Sequence, residues 1–240
     1  MQPEPAWPGL PSLSLPGRIW NWACSSILIW SLTRRAGISV RGKTYLTQNL
    51  YNPVDLDTDQ WMEAAKAMGA KYAVFVAKHC SGFLQWQTDI YPYGVRQSGW
   101  RDGKGDVVGD FVESCRKYGI KPGIYASVTA NGYWEVDNPG LVNQGKGGDP
   151  EKQAEYAGVC ENMLTELWSR YGELTEVWFD GGALPPDKGG PDMIPILQEF
   201  QPNAIVFQGP HGIHPMDRER KRCGKLSLLG HCPGYGLHHQ

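Results

Sequence analysis

Asp180 closes the apolar run Glu176-Val-Trp-Phe-Asp180 and is followed by Gly181 and Gly182. A strand that ends in a carboxylate delivers it on a rigid base, and the two glycines behind it let a ligand come close to the backbone. The chemistry open to such a group is nucleophilic attack. Asp-Gly-Gly is also common turn chemistry, and the pattern alone does not choose between the two. His79 holds the matching place in Ala77-Lys-His-Cys-Ser-Gly-Phe83, at the end of an earlier apolar run. It is a second candidate for chemistry, although a lone histidine at a strand end is more often a satisfied structural residue. Tyr125 or Ser127, and Gln208, end two further runs of the same kind.

The elements that position these residues repeat. Asp57 and Thr58 lead into Asp59 to Met68, whose apolar residues recur at helical spacing and which Gly69 can end. Lys71 to Ala77 follows at once as a short run rich in β-formers, the mark of a strand buried on both faces. The pair recurs as helix Asp106 to Tyr118, ended by Gly119, with strand Lys121 to Ser127. It recurs again as Pro150 to Tyr171 with Leu174 to Phe179, and as Asp192 to Phe200 with Ala204 to Gln208. Helix then strand, four times, with long loops after the strands, predicts a parallel α/β fold. A doubly wound sheet and a partial or distorted (β/α)8 barrel both fit. The barrel is favoured because the strand ends carry the chemistry and no glycine-rich phosphate loop opens a helix. Gly103-Lys-Gly-Asp106 has glycines but follows no strand, and reads as a helix entry.

Composition narrows the partner. The 240 residues carry a formal net charge of -2 without a basic face or an acidic run, which argues against nucleic acid or an anionic membrane. Ten Trp and eleven Tyr exceed ordinary core needs, and flat rings suit the apolar face of a pyranose. Cys24, Cys80, Cys115, Cys160, Cys223 and Cys232 form no CxxC pair and read as mostly free thiols. The apolar run Ile19 to Leu32 is too short to span a bilayer, and its basic pair Arg34 and Arg35 follows it, the wrong order for a signal peptide.

Lys71-Tyr-Ala-Val-Phe-Val-Ala-Lys-His-Cys-Ser-Gly-Phe-Leu-Gln-Trp86 resembles a strand and loop of family 29 α-L-fucosidases. Gly119-Ile-Lys-Pro-Gly-Ile-Tyr-Ala-Ser127 resembles the next strand of that family, and Val177-Trp-Phe-Asp-Gly-Gly182 the strand bearing its nucleophile. The resemblance covers roughly two thirds of the chain, in family order. It implies a (β/α)8 catalytic region over 50–210 and a retaining double displacement that needs neither metal nor organic cofactor. Two carboxyls about 5 Å apart act in turn in such a mechanism. Asp180 would attack the anomeric carbon. His79 and Trp86 would line the fucose pocket, with Tyr125 and Trp178 as further wall residues, and the partner would be a fucosylated oligosaccharide or glycoconjugate. Cys80 and Ser81 stand where the family often has a second His and an Asp, a departure that bears on hydroxyl recognition.

The acid/base Glu of the family has no counterpart in family-like surroundings after Asp180, and the family's Met-Phe-Ile-His-Phe segment is missing before Tyr51. Segments 1–49 and 211–240 therefore read as translated out of frame. Pro16 to Asn49, taken from each codon's third base, and His214 onward, from the second base, can both be written without a stop so as to supply those motifs. On that reading 1–49 is irregular, 211–240 is a foreign tail, and this literal polypeptide is impaired. The alternatives are a non-catalytic sugar-binding remnant or another retaining barrel glycosidase.

Overall fold

The computed structural model describes residues 51–143, 148–179 and 183–209. Segments 1–50 and 210–240 lie outside that set, and with them the expectation that both tails pack irregularly.

Helix α1, Thr58–Ala67, starts where the Asp57 carboxylate accepts the Gln60 N–H at 3.1 Å, and it buries Trp61, Met62 and Ala65. Strand β1, Tyr72–Lys78, follows. Helix α2, Val107–Tyr118, is capped by Asp106 and ends at Gly119 with φ 71°, a left-handed turn suited to glycine. Strand β2, Lys121–Ala126, comes next. Then β3, Val136–Asp137, and β4, Leu141–Val142, form a small antiparallel hairpin. Helix α3, Pro150–Arg170, has Asp149 at its cap and Pro in its first turn. Strand β5, Glu176–Trp178, helix α4, Met193–Phe200, and strand β6, Ile205–Phe207, complete the described residues.

Four strands make one parallel sheet in the order β1-β2-β5-β6, so each lies beside its predecessor. A doubly wound sheet reverses its order and takes helices on both faces. Among the described residues this one does neither. Phe75 of β1 stacks between Trp61 of α1 (6.2 Å) and Phe111 of α2 (5.2 Å), and Trp168 of α3 meets Phe179 edge-on at 5.8 Å. Phe75, Ile124, Val177 and Val206 are register partners across the sheet, and all are buried on the helix side. Side chains alternate along a strand, so the next row, Val76, Tyr125, Trp178 and Phe207, faces the other way. On that second face Tyr72 and Ile205 are 51% exposed and Phe207 49%. Among the described residues the sheet is wound in one direction with helices on one face only, a partial (β/α)8 barrel wall whose inner face is the side away from those helices.

The four expected helix–strand pairs are present, and β5 and β6 are shorter than expected. Leu174 is drawn off the ladder because its N–H bonds the Gln201 side chain at 2.9 Å, and Gln208 leaves β6 with φ 50°. The hairpin β3–β4 was not expected, since two-residue strands carry no period. Strand β1 holds a bulge: Val76 pairs with Tyr125 but Lys78 pairs with Ala126, leaving Ala77 extra. Cys115 and Cys160 are buried free thiols, whereas Cys24, Cys223 and Cys232 lie outside the described residues. No described helix is long and apolar enough to cross a membrane.

Candidate active site

The pleat and the register bring three of the expected residues to one place. Tyr125 and Trp178 are ladder partners near the C-terminal ends of β2 and β5. Their rings meet edge-to-face with centroids 5.1 Å apart and planes at 89°. His79, just past the end of β1, lies nearly parallel to Tyr125 at 5.6 Å and 16°. Phe207 extends the row on the other side, 5.5 Å from Trp178 at 75°. Gln208 fixes the plane of the indole: the Trp178 Nε1–H donates to Gln208 Oε1 at 2.8 Å. Tyr125 is buried, while His79 and Trp178 are half-buried. Imidazole, phenol and indole thus stand in one line across three adjacent strands. Glu176 sits two residues before Trp178 on the same face, and partial burial raises its carboxyl above the ordinary range.

Asp180 lies outside the described residues. The chain that leads to it is placed by the Phe179 N–H, which donates to the Phe207 carbonyl at 3.1 Å and carries the β5–β6 ladder one residue past Trp178.

Trp86 is placed elsewhere than expected. It is 0% exposed, and its Nε1–H donates at 2.9 Å to Oε2 of Glu166, a residue of α3 that also pairs with Arg170 at 2.6 Å. The chain after His79 turns back: the Gln85 N–H bonds the Ala77 carbonyl at 3.2 Å, and the Gln85 carbonyl accepts the Val107 N–H at 3.0 Å. That path sends the indole into the helix layer, where no ring face is left for a sugar. Six residues of loop, 80–85, separate Trp86 from His79, and loop residues have no period from which a direction can be read. Gln208 was visible as a strand end, but its grip on Trp178 depends on a register that only the folded sheet reveals.

Beyond geometry, a family model described as α-L-fucosidase matches residues 42–206. The chain belongs to the α-L-fucosidase family. α-L-Fucosidase 1 of Arabidopsis thaliana is 32% identical over 166 residues, which are 66% of this chain and 29% of that protein. A protein of Bacteroides thetaiotaomicron described as an α-L-fucosidase is 46% identical in its crystal structure, with a TM-score of 0.66 over 71% of this chain and 39% of its own. A glycoside hydrolase 29 family member from a rumen bacterium is 31% identical, with a TM-score of 0.53 over 73% and 32%. The chain therefore spans less than half the length of these family members. The stretch matched to the family contains His79, Tyr125, Trp178 and Asp180.

Proposed function

We propose that this chain carries part of the catalytic region of a retaining α-L-fucosidase that removes terminal α-linked L-fucose from oligosaccharides or glycoconjugates. The observation that supports it best is the line of His79, Tyr125 and Trp178 across the ends of three barrel strands, in a chain of this family. In this reading Asp180, next along from Phe179, attacks the anomeric carbon as the glycosidic bond breaks. A second carboxyl gives its proton to the departing oxygen. Water, deprotonated by that same carboxyl, then displaces Asp180 and releases fucose. The Trp178 and Tyr125 rings cover the apolar side of the sugar, and the His79 imidazole bonds its hydroxyls. No step needs a metal or an organic cofactor.

The second carboxyl belongs, in this reading, to the frame-restored form of segment 211–240, and the family's first sugar-binding histidine to the restored form of 1–49. Without the acid, Asp180 can still attack an aryl fucoside, whose leaving group needs little protonation, while a natural glycosidic oxygen stays in place. A fucose-release assay on an aryl α-L-fucoside and on a fucosylated oligosaccharide tests this with the literal chain, the chain with both frames restored, and the restored chain bearing Asp180→Asn. The restored chain is expected to cleave both substrates, and Asp180→Asn to cut turnover by at least about a thousandfold. Full activity of the literal chain on the oligosaccharide would overturn the missing-acid reading. Undiminished activity of the Asp180→Asn form would overturn the nucleophile.

A further inference from the structure

Lys78 is 0% exposed, and among the described residues its charge meets no carboxylate: Nζ donates to the carbonyls of Ser127 and Ala130, each at 2.6 Å. A buried ammonium held only by carbonyls adds little to stability, because desolvation offsets the bonds it makes. What it does supply is geometry. The same two stretches of chain are also joined through their backbones. The Ser127 N–H donates to the Lys78 carbonyl at 3.1 Å, and the Gly132 N–H to the Cys80 carbonyl at 2.8 Å.

A second tie lies further along the same loops. Asn131 Oδ1 accepts the N–H groups of Tyr133 and Trp134, and Asn131 Nδ2 donates to the Tyr91 hydroxyl at 3.2 Å. That hydroxyl donates to the Gly82 carbonyl at 2.6 Å. Gly82 has φ +85°, and a Cβ there would collide with Asn131 Oδ1. Residues 78–82 and 127–134 are thus one stitched unit, with His79 between the two pinned residues Lys78 and Cys80.

We infer that Lys78 is a positioning residue for the sugar site: its ammonium ties the loop after β2 to the end of β1 and so holds the His79 ring against Tyr125. The inference rests on the reading of that cleft as a fucose site. Burial pulls the Lys78 ammonium down to about 8, so its charge-assisted bonds weaken as pH rises through that value. The groups that act on it are Cys160 of α3 and Cys80 on the same loop, and Cys160 in turn interacts with Tyr156 and Tyr91. Burial pushes the Cys160 thiol up to about 11 and both phenols well above their ordinary range.

The test uses the full 240-residue chain with Lys78→Met, which keeps the apolar stem and removes the donors. L-fucose affinity is expected to fall about tenfold, the scale of one weakened hydrogen bond from a displaced His79 to the sugar. Amide exchange is expected to quicken in 79–83 and 127–136 while α1 and α2 keep their protection. Loops as protected as in the unmodified chain, or protection lost evenly across the molecule, would overturn the role. If the variant does not fold, the unmodified chain decides by its pH profile. A step near pH 8 in L-fucose affinity and in corrected loop exchange, retained in Cys80→Ser, supports the tie, and its absence removes it. A chain with both frames restored that binds no L-fucose ends the reading of the cleft, while loop exchange in the unmodified chain still judges the tie.

Discussion

Two neighbouring rows of the same sheet carry opposite duties. Phe75, Ile124, Val177 and Val206 are buried beneath the helices, and one residue further on Val76, Tyr125, Trp178 and Phe207 face the open side. The first row is aliphatic and aromatic filler, with Phe75 packed between α1 and α2. The second is an aromatic line that ends in an imidazole and is steadied by an amide. On the proposed function, stability and recognition are separated by a single step along each strand, so substitutions one residue apart should report on different properties.

The sharpest way to break that contrast is Phe75→Ala. It removes a ring stacked on both Trp61 and Phe111, and chemical denaturation should show a loss of about 3–5 kcal/mol, with the L-fucose affinity of the remaining folded molecules unchanged. Trp178→Ala should do the reverse. Its half-buried ring touches only Tyr125 and Phe207 among the described rings, so the stability cost should be below half that of Phe75→Ala. L-fucose affinity by titration calorimetry should drop about tenfold, or about 1.4 kcal/mol. If both variants lose affinity and stability in proportion, the two rows are not separate in function.

A smaller effect concerns pH and belongs to the buried row's side alone. Burial pushes the Cys115 thiol up to about 12 and the Cys160 thiol to about 11, from an ordinary 9.0. Raised acids of this kind contribute stability that is fully present below pH 9 and is lost as pH rises toward those folded values. Lys78, held at about 8 against an ordinary 10.5, acts with the opposite sign, adding stability as pH rises from 8 to 10.5. Melting temperature should therefore fall above pH 9 in the unmodified chain, and fall less in Cys115→Ala with Cys160→Ala. An unchanged slope in the double variant would show that other groups carry the alkaline loss.

The sheet was legible because its signals are local. Asp57, Asp106 and Asp149 each begin a helix by accepting an N–H three residues on, and apolar runs between such helices leave little choice but parallel strands. Strand-end positions then follow from counting, which singled out His79 and Tyr125, whereas Trp178 came from the family resemblance. Trp86 was not, because its direction is set by Glu166, 80 residues away, and by a loop stitched to β1. Lys78 escaped notice for the same reason: in sequence it is an ordinary charged residue at the edge of a strand, and its two carbonyl partners are about 50 positions downstream.

The extra residue at Ala77 acts as a change of parity. Tyr72, Val74 and Val76 look toward the open side, so an unbroken count would send Lys78 there too and turn His79 toward the helices. The bulge reverses that assignment for everything after it. The ammonium goes under the loops and the imidazole comes out beside Tyr125. Of two adjacent basic side chains, one inserted residue decides which stands beside Tyr125 on the open face. Deleting Ala77 would exchange them, placing the lysine ammonium beside Tyr125 where the imidazole now stands.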